Sequence, residues 1–322
     1  MQKDFHYDMV YALAKEAGYE DNEVYIIAYS SQYVDDNIDR EYSVYDSSEF
    51  YVDFPEKIGK TGNLYFPIIT QAADITSLEL SIQRSVFAPF HFIPGDNNVE
   101  IKGIKNPLCT TRGCANAVGL VQDSVKSTDP YRMGVALHTY ADTWSHERFS
   151  AFREDWNKVY KSIVQNIPPN IGHAEVFTKP DEISLVWEDK RFKEKIDNRG
   201  RALMAAEQIF NFINKEKTTW DDIKADLEIF VNAKNLNDRI KLIKNKYPQM
   251  EVYDEDKWIN EALSFSRDAS EVPEYDPIRG NPKPVRVRFP DISVKDIDSH
   301  WFRFQNAAKK QLSTVLSMTT SI

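Results

Sequence analysis

The apolar positions of this chain fall mostly at helical spacing. Met9, Val10, Leu13, Ala14 and Ala17 keep the three-and-four rhythm of one helix face, which predicts a helix over 6–17 that Gly18 ends. Asp21 is the expected cap of a second helix, with 24–34 as its body and Asp35-Asp36-Asn37 as its end. The period then changes. Tyr42, Val44, Phe50, Val52 and Phe54 alternate around a polar turn, Asp46-Ser47-Ser48, so a β-hairpin is expected over 42–54 and a further short strand over 64–69. Thr76 opens a short helix expected to end before Pro89. Helical patterning returns over 113–125, and Asp129-Pro130 starts a central helix. A helix over 150–164, stopped by Pro168-Pro169, and a loop over 170–180 follow. From Phe192 the chain becomes a series of Lys- and Asp-rich helical segments, 192–214, 219–232, 235–246 and 254–267. Residues 264–290 lose periodicity, carry five prolines and read as an extended surface strap. An amphipathic helix over 299–318 closes the chain, with Trp301, Phe304, Ala308, Leu312, Val315 and Leu316 on one face. The expected fold class is mainly α, a multi-helix bundle with a small β-insertion at about 42–70. Its expected organisation is a first domain over 1–185 and a helical extension over 186–322 packed on it, with the strap at about 268–292.

The central helix carries the strongest chemical signal. In Leu137-His-Thr-Tyr-Ala-Asp-Thr-Trp-Ser-His-Glu-Arg-Phe149, His138, Asp142 and His146 stand at i, i+4 and i+8, which stacks them on one helix face. Met133, Ala136, Leu137, Tyr140, Ala141 and Trp144 cover the other faces, so the helix is expected to be buried. Buried His and Asp must be hydrogen-bonded or hold a metal. A hydrogen-bonded polar stripe is the plainer reading; two imidazoles and a carboxylate aimed the same way favour a metal ion, zinc first.

Composition narrows the classes. At 322 residues with 42% hydrophobic and 12% aromatic content, the chain has enough apolar mass for a sizeable core. A net charge of -10 makes it a poor general binder of nucleic acid, although Lys283–Arg288 is a local basic run. No apolar run approaches the length of a membrane-crossing helix. The N-terminus lacks the basic head and apolar core of a secretory signal, so a cytoplasmic location is expected, or a secreted one if the chain is a trimmed mature form. Cys109 and Cys114 do not have zinc-knuckle spacing, and two free thiols are expected.

Five of the six histidines precede residue 180: His6 at a helix start, His91 between two phenylalanines, His138 and His146 on the central helix, and His173 in Gly-His-Ala-Glu. Asp35 and Asp36 place negative charge at a helix C-terminus, where it opposes the macrodipole and calls for a cation. His300, in the first turn of the last helix, is expected to be structural.

This order resembles the zinc-dependent phospholipase C and single-strand nuclease superfamily over residues 1 to about 180. An early His opening a helix looks like His6 in His-Tyr-Asp-Met-Val-Tyr-Ala-Leu. An Asp after an aromatic at the end of the next helix is similar to Gln32-Tyr33-Val34-Asp35, which favours Asp35 over Asp36. A His beside aromatics matches His91 in Phe-His-Phe-Ile-Pro-Gly, and a helix supplying His-x3-Asp and a further His matches His138, Asp142 and His146. There are three departures. In that superfamily the mature N-terminal residue ligates metal through its amine and carbonyl, whereas here five residues precede His6. The third ligand on the central helix usually lies further along than His146 does. The closing His-x3-acid is absent, since His173 is followed by Glu175 at two residues and Asp181 at eight.

The resemblance implies one to three Zn²⁺ ions held by His6, Asp35, Asp36, His91, His138, Asp142, His146 and His173. It implies hydrolysis of a phosphodiester or phosphoester in a small molecule or lipid head group. Adjacent Zn²⁺ ions about 3.5–4 Å apart clamp a phosphate and lower the pKa of water towards ~7. Asp35 is the expected base. The alternatives are an HD-type nucleotide phosphohydrolase, which requires a His-Asp dipeptide that this chain lacks, and a non-catalytic metal-stabilised interaction protein.

Overall fold

A π-helical segment, Asp4–Met9, runs without a break into α1 (Val10–Glu16), and α2 (Asp21–Asp36) folds back on both. This computed structural model describes residues 1–38, 52–53, 64–65, 67–72, 75–96, 98–160, 170–215, 217–266, 291–296 and 298–319. The first helix thus starts two residues earlier than its pattern indicated. The cap of α2 is Glu20, in a reciprocal capping box with Glu23, rather than Asp21.

Most of the hairpin expected over 42–54 lies outside the described residues. Within them, β1 (Val52–Asp53) pairs antiparallel with β2 (Leu64–Tyr65), and 67–69 are irregular rather than strand. A 3₁₀ turn, Ile75–Leu78, precedes α3 (Leu80–Ile82), a π-helical segment Gln83–Phe87 and α4 (Ala88–Phe90). The helix does not stop before Pro89 but runs one residue past it, to Phe90, as the stretch passes from the π-helical segment into α4. A short hairpin, β3 (Glu100–Ile101) with β4 (Ile104–Lys105), leads to α5 (Ala115–Ser127) and α6 (Pro130–Ser145).

The helix expected over 150–164 does not form in its described part. His146 caps α6, and Arg148 then takes a left-handed backbone (φ 68°) that turns the chain. Residues 150–160 fold as a loop around Asn157. Its side chain accepts from the Ser150 N–H at 2.9 Å and donates to the carbonyls of Ser150 at 2.9 Å and Phe152 at 2.8 Å. The only regular turn there is the 3₁₀ turn Asp155–Asn157; residues 161–169, with the expected proline stop, lie outside the described residues.

Two further helical expectations shorten because strands take their ends. Residues 192–214 contain β6 (Glu194–Asp197), paired with β5 (Val186–Asp189), before α7 (Asn198–Ile213). Trp187 and Ile196, opposite one another, both face inward, a period of two that the charged turn between them obscured. After α8 (Trp220–Asn232) and α9 (Leu236–Lys246), which match the expected boundaries, α10 (Lys257–Ala262) ends where Leu263 turns extended. There β7 (Leu263–Ser266) pairs with β8 (Asp291–Val294). The strap itself, 267–290, lies outside the described residues. The last helix, α11 (His300–Thr319), follows its pattern. No helix among the described residues is long and apolar enough to cross a membrane.

The helix α6 is the axis of the core. It packs against α2, α5, α7 and α11, and every residue from Met133 to Thr143 is buried. Gly134 makes the closest approach possible: a β-carbon there would lie 2.4 Å from the Ile27 carbonyl and 2.9 Å from the Ser31 nitrogen of α2. The main apolar cluster runs from Phe5, Leu13 and Ile27 through Leu137 and Tyr140 to Phe210, Trp258 and Phe304. A smaller one, with Phe92, Phe149, Val176 and Trp187, sits under the loops that follow α4 and α6. His300, expected to be structural, stacks on Trp258 at 5.0 Å, and its Nδ1 meets the Tyr131 hydroxyl at 2.7 Å.

Candidate metal centre

Four parts of the fold besides α6 itself deliver polar side chains to its C-terminal half. The π-helical segment delivers His6, and it is anchored by an ion pair between Asp4 and Arg239, whose Nε donates at 2.5 Å. The last turn of α2 delivers Asp35, and the residue after α4 is His91. These two are tied through Thr70, whose hydroxyl donates to the Val34 carbonyl at 2.8 Å and whose carbonyl accepts from His91 Nε2 at 2.8 Å. The helix α6 delivers His138 and Asp142, with His146 at its end. The loop beyond contributes His173 and Asp181.

The donor atoms converge. His138 Nε2 lies 3.2 Å from His91 Nδ1 and 3.2 Å from Asp142 Oδ2, and His91 Nδ1 is 3.1 Å from the same oxygen. Asp35 Oδ1 closes this group at 3.7 Å from His138 Nε2 and 3.8 Å from His91 Nδ1. His6 stacks on His138 with ring centroids 3.9 Å apart, and its Nε2 is 3.2 Å from Asp142 Oδ1. Further along, His146 Nε2 faces His173 Nε2 at 3.1 Å, with Asp181 bridging at 3.0 Å to the first and 3.3 Å to the second. Three donor sets therefore adjoin: His6, Asp35 and His138; His91, His138 and Asp142; His146, His173 and Asp181. Within each set the ligating atoms lie within 4.8 Å of one another, so each could hold a metal ion.

Backbone carbonyls decide the tautomers. His138 Nδ1 is 2.7 Å from the Ser31 carbonyl, His91 Nε2 is on Thr70, His146 Nδ1 is 2.8 Å from the His91 carbonyl, and His173 Nδ1 is 2.7 Å from the Phe177 carbonyl. A carbonyl only accepts, so each of these nitrogens carries the proton and donates. The other nitrogen of each neutral ring presents a lone pair inward. Lone pairs 3.1–3.2 Å apart repel unless a proton or a cation stands between them. This outer hydrogen bond on each imidazole is the arrangement that fixes ring orientation at metal sites. His6 Nδ1 is buried without a hydrogen-bond partner among the described residues.

Electrostatics agree with the geometry. Burial opposes ionisation of Asp142, but His146, the Met1 amine, His138 and His6 outweigh it and hold its carboxyl well below the usual range. Burial likewise opposes Asp181, and His173, the Met1 amine and His146 drive it down. Burial, then the neighbouring charge of His138, pushes His6 down to about 3, and burial also lowers His173, so these rings stay neutral and able to ligate. His91 goes the other way: burial works against its protonation, but the hydrogen bond to Asp142 and the charge of Asp35 raise it. The Met1 amine lies among the carboxylates, hydrogen-bonded to Asp142, 3.2 Å from Ser145 Oγ and 3.4 Å from Asp181 Oδ1.

Seven of the eight residues named from the sequence meet here: His6, Asp35, His91, His138, Asp142, His146 and His173. Asp36 does not. It points to the other side of α2, where it accepts from Gln32 Nε2 and from the Tyr253 hydroxyl, each at 2.8 Å. The eighth donor of the array is instead Asp181, which sequence reasoning noted only as an acid eight residues after His173. Its signal is weak because a 3₁₀ turn, Ala174–Val176, and the turns after it, not an α-helix, bring it to His173. Glu175 is turned away and accepts from the backbone N–H groups of Val159 and Tyr160. Around the array, Glu147 accepts from Arg112 Nε at 2.9 Å and Arg201 Nη2 at 2.5 Å, which pins the turn just after His146. Cys109 and Cys114 are buried free thiols.

A family model described as a family of unknown function (DUF6765) matches residues 1–319 of the chain. No curated protein and no solved structure matches it.

Proposed function

The chain belongs to the DUF6765 family, and we propose that it is a metal-dependent hydrolase, acting on a phosphodiester or phosphoester bond with zinc as the metal. The observation that carries this reading is the contact between His146 Nε2 and His173 Nε2 at 3.1 Å, with the other nitrogen of each ring held by a backbone carbonyl and Asp181 bridging the two. Mixed nitrogen and carboxylate donors suit zinc. Zinc held there would supply positive charge to polarise phosphoryl oxygens and to acidify water.

The chain's own residues then divide the work. Asp142, 1% exposed, sits between the donor sets and holds them in register. Asp35 has a side chain 25% exposed, so it is reachable by water and substrate and serves as the proton acceptor. His173 and Asp181 form the second open side, with side chains 19% and 12% exposed. Water enters from this rim, and Asp35 takes its proton.

The scaffold is read here as a divergent form of the phospholipase C and single-strand nuclease superfamily. Support comes from the chain order His6, Asp35, His91, His138, Asp142, His146, His173 and Asp181. A closed structural metal site is the second reading, favoured by the full burial of His6 and His138. Elemental analysis of unchelated protein, with hydrolysis of bis(4-nitrophenyl) phosphate measured before chelation, after it and after zinc is restored, separates the two. Bound zinc with chelator-sensitive turnover supports the hydrolase. Bound zinc with no turnover supports the structural site, and less than about one equivalent of any transition metal removes both.

A further inference from the structure

We propose that Phe177 is a substrate-contact residue of the metal centre, presenting its ring to a flat apolar group on the phosphoester. The inference rests on the phosphoesterase reading above. It starts from a backbone anomaly. Phe177 has φ 53° and ψ -135°, the first central position of a type II′ turn, which the Lys179 N–H closes by donating to the Val176 carbonyl at 3.3 Å. Glycine takes that position readily, whereas a β-carbon is crowded by the backbone there.

The turn has a plain duty. The Phe177 carbonyl accepts from His173 Nδ1 at 2.7 Å, and the Asp181 N–H donates to the Thr178 carbonyl at 3.0 Å. One strained turn therefore sets both outer donors of the third metal set. A glycine would perform this backbone duty with less strain, so the side chain needs its own explanation. Packing does not supply it, because Phe177 is 68% exposed, a level at which a phenylalanine ring gains little from burial. Strain retained next to ligating residues, with a large apolar ring left in water, is the signature of a side chain kept for an external partner. Lys179, two residues on, does not cover the ring, since its Nζ turns to the Tyr160 hydroxyl at 2.9 Å. An exposed ring on the turn that carries two zinc donors fits a phosphoester with a planar apolar substituent better than a bare phosphate.

The test compares zinc-loaded wild type with Phe177→Gly and Phe177→Leu. The probes are phenylphosphonate and methylphosphonate, neither of which needs to be hydrolysed, with affinity read by calorimetry, and melting temperature and bound zinc are measured alongside. Wild type is expected to prefer phenylphosphonate, and Phe177→Gly to lose roughly threefold to tenfold of that affinity with methylphosphonate unchanged. Phe177→Leu should lie between them. Phe177→Gly should melt no lower than wild type and keep its zinc. An unchanged preference in Phe177→Gly overturns the proposal, as does failure of both phosphonates to bind. A lower melting temperature or lost zinc in Phe177→Gly makes the ring structural instead. Absence of bis(4-nitrophenyl) phosphate hydrolysis by the same wild-type preparation counts against the phosphoesterase reading alone, since the phosphonate comparison does not depend on turnover.

Discussion

His146 and His173 point Nε2 atoms at each other across 3.1 Å, and each ring donates its other nitrogen's proton to a backbone carbonyl. Neither ring can turn over to relieve the contact without giving up that hydrogen bond. Zinc should therefore stabilise the fold, and protons should compete with it. Chelation is expected to lower the melting temperature, and restored zinc to raise it again. Loss of bound zinc should set in as the pH falls below about 6, where free imidazole protonates. Zinc-independent melting, or retention of zinc well below that pH, would count against the site.

His138→Ala and Asp142→Ala should each lose metal and destabilise the chain by about 3–5 kcal/mol, because each leaves buried partners without their counterpart. Asp142 contacts four imidazoles and the Met1 amine, so its loss should be the more severe. Denaturant titration of both variants with zinc assays gives the answer; wild-type stability and zinc content in both would remove α6 from the site.

Asp35→Asn should keep the fold and most of the metal and lose most turnover, with the effect falling on kcat. The amide fills the same space but cannot take a proton from water. Asp36→Asn is the control. Asp36 accepts from Gln32 and Tyr253 away from the donors, so its replacement should leave kcat close to wild type. Equal kcat in wild type and Asp35→Asn would strike Asp35 from the chemistry.

Gly134→Ala tests the coupling between packing and site. The added β-carbon meets the Ile27 carbonyl at 2.4 Å, so α2 and α6 must separate. The Ser31 carbonyl that orients His138 rides on the displaced turn of α2. A cost of about 1–3 kcal/mol is expected from overpacking. Zinc affinity should also fall, by about tenfold or more, through the lost orientation of His138. Full zinc affinity in a destabilised Gly134→Ala would mean that the carbonyl contact does not set the ligand.

Burial pushes the Cys109 thiol from its ordinary 9.0 up to about 12. The folded state therefore holds a proton that the unfolded state gives up between those values. Its contribution to stability is neutral below pH 9 and turns unfavourable as the pH rises from 9 towards 12. Cys109→Ala should flatten that alkaline loss. Alkylation at pH 8 should leave both cysteines untouched in native protein and label both in denaturant. Rapid native labelling of Cys109 would contradict its burial.

What the linear chain determined by itself was local. The i, i+4, i+8 spacing of His138, Asp142 and His146 on an apolar helix put three donors on one buried face, because helical geometry alone sets that relation. The helices over 219–232, 235–246 and 299–318 followed for the same reason. Tertiary structure decided everything that depends on distant partners. Asp35 and Asp36 are neighbours with the same chemistry, and only the packing of α2 turns one to the histidines and the other to Tyr253. Asp181 reaches His173 through a strained turn that no periodicity announces. The chain over 150–160 and 192–197 left the helix because Asn157 and the Trp187–Ile196 pair offered its backbone other hydrogen bonds and its apolar groups another core. The tautomers that aim the lone pairs inward rest on carbonyls of Ser31, Thr70, His91 and Phe177, backbone atoms that every sequence carries and only a fold can place.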